Sequence, residues 1–161
     1  MRQTALGFVA ILVVVSAGCT LAPRPPEPAT REKLVGSWVT DRPDGVREYL
    51  TLYESGVLSF QETQGEQPVL AAYGRWSFEQ PTIDLHIVVR QNTDDDPLPN
   101  RIIAQRRGTA LEMSLDGATT TWAPHDRFGA AAPGAAERAA KSEREALAQV
   151  EQAENAPQPE P

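Results

Sequence analysis

The fold class this sequence predicts is all-β: a small antiparallel up-and-down barrel or curled meander of about eight strands. Three observations predict it. Between residues 34 and 123 the apolar residues fall in short alternating runs, the period of a half-buried strand. Turn chemistry separates those runs at short intervals, as at Asp44-Gly45, Ser55-Gly56 and Asp116-Gly117. No stretch of helical period about ten residues long interrupts them. All three tryptophans and all three tyrosines also lie in this segment, which makes it the part of the chain able to bury a core.

Taken in order, Leu34 to Val39 is the first strand. Arg42-Pro43-Asp44-Gly45 turns the chain, because proline presets one dihedral and Asp-Gly accepts a tight reversal. Val46 to Tyr53 alternates, with Val46, Glu48, Leu50 and Leu52 on one face and Arg47, Tyr49, Thr51 and Tyr53 on the other. Glu54-Ser55-Gly56 reverses it, and Val57 to Gln61 returns with Leu58 and Phe60 in phase, completing a hairpin. Gln64 to Gln67 reads as a loop. Val69 to Phe78 follows with Leu70, Ala72, Trp76 and Phe78 in one register, and Gly74 marks a bulge or a close approach. Thr82 to Arg90 places Ile83, Leu85, Ile87 and Val89 in phase. After a loop at 92–99, Asn100 to Arg106, Ala110 to Leu115 and Ala118 to Trp122 complete the set. Closing such a meander into a barrel removes exposed strand edges.

The flanks have a different composition. Residues 1–18 carry one basic residue, Arg2, followed by an apolar run from Leu6 to Val15. That run is too short to cross a hydrocarbon core of roughly 30 Å as a helix, and it fits a secretory signal peptide. It ends at Ser16-Ala17-Gly18-Cys19, and Cys19 is the sole cysteine. This ending resembles a bacterial lipobox. The resemblance implies cleavage before Cys19, lipidation of its thiol, and anchorage of the mature chain through acyl chains. Thr20 follows, where an aspartate would resemble an inner-membrane retention signal. The implied address is therefore the outer membrane of a bacterial envelope, facing the periplasm.

Residues 19–33 hold Cys19 and a proline-rich tether containing Pro23, Pro25, Pro26 and Pro28. At about 3.1 Å per residue in polyproline geometry, residues 20–33 would reach on the order of 40 Å. Beyond the β domain at 34–123, residues 124–161 form a low-complexity tail. Its alanine-, glutamate- and arginine-rich stretch 136–153 favours helix, with Ala136, Ala140, Leu147 and Val150 on one side. A helix of that length standing alone is marginal in water.

Gly36-Ser37-Trp38 opens the first strand directly after a charged segment. Together with Leu50-Thr51-Leu52-Tyr53, Ser55-Gly56-Val57-Leu58 and Tyr73-Gly74-Arg75-Trp76, it resembles the lipocalin-like, calycin-type domains of small bacterial lipoproteins. The resemblance covers about Leu34 to Ala123. It implies an eight-stranded up-and-down barrel whose tryptophan, Trp38, plugs one end. Arg127 is the arginine that lies shortly after the last strand. Eight strands enclose an interior just wide enough to be filled by side chains or to hold one small ligand.

Charge and chemistry narrow the function classes. The formal charge is -7, and loss of Arg2 with the leader takes it to -8. Such a chain repels phosphate backbones, so nucleic acid is not an expected partner. One cysteine allows no internal disulfide. His86 and His125 belong to no metal-ligand spacing, and His86 points away from Leu85 and Ile87 toward solvent. Asp94-Asp95-Asp96 lacks the alternating oxygen pattern of a calcium loop and reads as a solvated loop beside Arg101, Arg106 and Arg107. The expectation is a protein that is not an enzyme and carries no cofactor or metal. Its partners would be the membrane and either a small apolar ligand or an envelope protein. Trp38, Tyr49, Tyr53, Tyr73 and Trp76 are the candidate ligand or partner face, because aromatic residues combine apolar area with a polar tip. The competing expectation is a structural or assembly factor acting through its tail, with the barrel as a rigid head.

Overall fold

The computed structural model describes residues 28–91, 101–115, 118–128 and 132–157. Eight strands follow one another: β1 (Gly36–Asp41), β2 (Val46–Leu52), β3 (Val57–Gln64), β4 (Gln67–Glu79), β5 (Thr82–Gln91), β6 (Arg101–Arg107), β7 (Ala110–Leu115) and β8 (Ala118–Pro124). A one-turn helix, α1 (Arg31–Leu34), precedes them, and a longer helix, α2 (Ala135–Glu154), follows. Each strand pairs antiparallel with the next and β8 returns to β1, so the sheet is a closed barrel. The leader, Cys19, Asp94-Asp95-Asp96, the Asp116-Gly117 turn and residues 129–131 of the tail lie outside the described residues.

The strand alternation sets the interior. Trp38 pairs with Leu50, Leu50 with Phe60, and Phe60 with Ala72, so one cross-strand row carries large and small side chains around the wall. Leu52, Leu58 and Gly74 form the next row. Leu50, Leu58, Ile83, Leu111, Met113 and Trp122 are buried in the same cluster as Trp38 and Trp76. At roughly 25 cal/mol per Å2 of apolar surface, burial of such a set is the main term favouring the fold.

Two seams join the last three strands to the rest. Among the described residues β5 and β6 pair over Thr82–Asp84 and Arg101–Ile103. β1 and β8 pair at Trp38 with Pro124 and at Val39 with Ala123. Thr40 Oγ1 donating to Thr121 O at 3.0 Å and His125 N donating to Ser37 O at 2.8 Å reinforce the second.

The structure shortens the expected tether. Residues 28–33 belong to the domain, because α1 folds onto one end of the barrel with Ala29 and Leu34 buried. Leu34 ends this helical turn rather than opening β1. Trp38 Nε1 donates to Leu34 O at 2.9 Å, and the Arg31 guanidinium lies 4.4 Å from the Trp76 ring centroid. The chain therefore enters at a sealed end. The expected loop at 64–67 is a two-residue turn, Gly65-Glu66, and the flanking strands extend to meet it.

Two of the glycines lock strands together by geometry that a side chain would disturb. Gly56 holds φ +85°, and its carbonyl accepts from Trp76 N at 2.7 Å, locking the β2–β3 turn to β4. Gly74 stands opposite a bulge in β5. Tyr73 pairs with Val89 but Gly74 with Ile87, leaving Val88 as the extra residue. Ile83, Leu85 and Ile87 pack inward as expected, whereas Val88 packs against an outer cluster, and the extra residue takes Val89 out of the predicted phase.

That outer cluster is the second departure from expectation. The tail helix spans 135–154, close to the expected 136–153, but it packs on its own barrel over β3, β4 and β5. Its buried residues are Ala146 and Val150, with Leu147 partly buried, while Ala136 is exposed. They meet Tyr53, Val57, Tyr73 and Val88 on the sheet's outer surface. The packing supplies the apolar contact that an isolated helix of this composition lacks. Arg75 Nε and Nη2 donate to the two carboxylate oxygens of Glu154 at 2.8 Å each, pinning the helix end.

A side chain at Gly74 would collide with the backbone carbonyl of His86. Gly74→Ala is expected to destabilise the barrel by about 3 kcal/mol or more, read by denaturant unfolding, because backbone must move to admit the methyl group.

Candidate functional site

Between α2 and the barrel wall lies a cleft of about 210 Å3. Its floor is two cross-strand pairs on the outer surface, Ser59 with Tyr73 and Gln61 with Ala71. One wall is α2, which contributes Ser142 and Glu145. Arg127, from the segment after β8, contributes to the lining beside Gln61. Its Nη1 donates to Thr51 Oγ1 at 3.3 Å and its Nη2 to Gln61 Oε1 at 3.2 Å. Its lining is mostly polar, with the Tyr73 ring beside the polar groups, so it offers hydrogen-bond partners to a small polar molecule.

Strand alternation builds this surface. Leu50 and Leu52 face the core, so Thr51 and Tyr53 are directed outward, under the returning tail. The Tyr53 hydroxyl lies 2.8 Å from Ser142 Oγ and 3.4 Å from Ser59 Oγ. Ser37 Oγ lies 2.9 Å from Thr51 Oγ1, so the hydroxyl on which Arg127 rests is itself held from β1. Arg138 fixes the start of α2 by donating to Phe128 O at 2.7 Å and Pro133 O at 2.9 Å. Among the described residues none of the hydrogen bonds of Arg127 goes to a carboxylate.

The five aromatic candidates separate. Trp38 and Trp76 are buried inside the barrel, with Trp76 Nε1 donating to Tyr53 O at 2.9 Å. Tyr49 is half-buried on the outer face, its ring centroid 5.1 Å from that of His125. Tyr53 is buried beneath α2, and Tyr73 lines the cleft. His86 is exposed on β5. Cys19 lies outside the described residues. Arg127, Ser142 and Glu145 were not among the sequence candidates. Their sequence signal is faint, since they become neighbours of β3 and β4 only when the tail folds back.

A second polar group sits at the end of the barrel opposite α1. Glu48 and Glu62 are cross-strand partners on β2 and β3, each one step beyond the core pair Leu50–Phe60. Arg42, in the β1–β2 turn, places Nη1 3.6 Å from Glu48 and 3.7 Å from Glu62. Burial pushes the Glu48 carboxyl above the usual range, and the Glu62 charge adds to it, against the pull of Arg42. Among the described residues no group of three or more metal-ligating side chains is present.

No family model matches the chain, and no curated protein matches it. A solved structure, described as the NMR structure of the protein from Bacteroides thetaiotaomicron VPI-5482, is similar over 58% of this chain and 89% of its own. Its identity to this chain is 19% and its TM-score 0.43.

Two measurements probe these groups. Tyr53→Phe removes the hydroxyl shared by Ser59 and Ser142, and is expected to cost about 0.5–1.5 kcal/mol in unfolding and to speed amide exchange in α2. Glu48 has a raised folded pKa, so its folded state holds the proton longer than the unfolded state does. Its charged form therefore destabilises the fold above that folded pKa, and the penalty disappears as pH falls below the unfolded value near 4.5. Glu48→Gln should be more stable than the parent at neutral pH, with the difference closing on acidification; a pH-independent difference would refute the assignment.

Proposed function

We propose that the protein is a lipid-anchored lipoprotein of a bacterial envelope, held through Cys19 in the outer membrane, whose barrel is a non-enzymatic binding head. The leader and its resemblance to a lipobox support the anchor. The up-and-down strand order, with Trp38 buried at the α1 end, supports reading the barrel as lipocalin-like. Because α1 belongs to the head, the tether in this reading is residues 20–27, with a reach of about 25 Å at 3.1 Å per residue. The chain enters at the sealed end, so that end faces the membrane and the Glu48–Glu62 end faces away.

The observation that carries the binding role is the cleft between α2 and the barrel wall. Tryptophans and aliphatic residues occupy the interior near α1, whereas this outer cleft joins open volume to polar groups and an aromatic ring. In this reading the ligand is more polar than the apolar one expected from sequence. The packing of α2 on β3–β5 also favours a folded tail over one that stays free to fold on another protein.

Cys19→Ala, expressed with its own leader, should lose acyl labelling and move from the membrane to the soluble fraction; unchanged partitioning would overturn the anchor. Native mass spectrometry of protein released from its envelope should show a bound small molecule that Ala71→Trp, which fills the cleft floor, eliminates. An adduct unaffected by Ala71→Trp, or none at all, would overturn the cleft as the site.

A further inference from the structure

We propose that the cleft binds a small zwitterion, an amino-acid-like molecule whose carboxylate meets Arg127 and whose ammonium meets Glu145. The proposal rests on reading the cleft as a binding site and adds the chemistry of its occupant. Arg127 and Glu145 carry opposite charges and line one cavity from different elements. Arg127 is held by two neutral oxygens, from Thr51 and Gln61, which fix its orientation without neutralising it. A guanidinium so placed favours a carboxylate, with which charge-assisted hydrogen bonds are short and strong.

Glu145 meets Lys141 at 3.8 Å, with both side chains about two-thirds exposed (66% and 70%). A pair that open is weak and exchanges readily for another cation. In the same cavity Tyr73 and Ala71 provide floor for a short aliphatic group, and Ser59 lies in the lining. A simple anion would face Glu145 as well as the net negative charge of the chain, and a simple cation would face Arg127. A zwitterion complements both. The volume, about 210 Å3, lies below the range of roughly 300–1,000 Å3 common for drug-sized ligands and suits a molecule of this size.

The test titrates the mature full-length chain in detergent with leucine, N-acetylleucine and leucinamide, read by amide NMR shifts at Tyr73, Ala71 and Ser142. Leucine should perturb these resonances saturably, with both derivatives at least tenfold weaker. Glu145→Gln, an exposed change on α2, should weaken leucine tenfold or more and leave N-acetylleucine unchanged or tighter. Arg127→Gln should abolish leucine binding, and Arg127→Lys should restore part of it if the charge is what matters. Equal binding of leucine and either derivative, or no shift with any probe, overturns the zwitterion. A cleft-bound adduct of another chemistry in the native mass spectrum would leave the binding role standing while this ligand class fell. An adduct insensitive to Ala71→Trp, with no leucine shifts, would remove both.

Discussion

Tyr53 joins the two halves of this molecule's packing. Its backbone carbonyl accepts the indole N–H of Trp76, which belongs to the barrel interior. Its ring lies in the outer cluster with Val57, Ala146 and Val150, and its hydroxyl meets Ser142 on α2. The inner and outer cores are therefore coupled through one residue at the end of β2. A buried hydroxyl without a partner would cost about 1–3 kcal/mol, so the position of α2 along the sheet is constrained by Tyr53 as well as by apolar contact. The cleft depends on the same constraint, since Ser142 and Glu145 line it only while α2 sits in that register.

The two ends of the barrel are built differently. At one, Ala29, Leu34 and Trp38 are buried, and Arg31 covers Trp76. At the other, Glu48, Glu62 and Arg42 place charge where the alternation continues the interior face. The apolar end carries the packing that stabilises closure. The charged end buries carboxylate in place of apolar side chains, and the raised pKa of Glu48 is the physical trace of that burial.

Most strands were legible because each needs only a local alternation: Leu50 and Leu52 inward, Thr51 and Tyr53 outward. The β5 bulge was legible only at Gly74, since a glycine reports close approach but not which neighbouring strand gains the extra residue. Arg31-Glu32-Lys33 read as tether because they continue a proline-rich, charged stretch that looks unable to pack; the two residues that bury, Ala29 and Leu34, sit on either side of them. In α2 the helical propensity was legible and the docking was not. Its buried stripe is largely small, with Ala146 at its centre, so it carries little apolar signal of its own. The candidate site followed from that docking. Tyr53 and Ser142 are separated by 89 residues, and nothing local to either announces the other.

The seam that closes the barrel, β8 on β1, is paired at Trp38 with Pro124 and at Val39 with Ala123. Helix α2 braces the sheet away from that seam, through β3, β4 and β5. Two residue pairs and two flanking hydrogen bonds hold the closure, so few bonds need break to open it. Local opening follows lines of low contact density, so this seam is where opening of the barrel is expected, while the cleft rides on the strands that α2 braces.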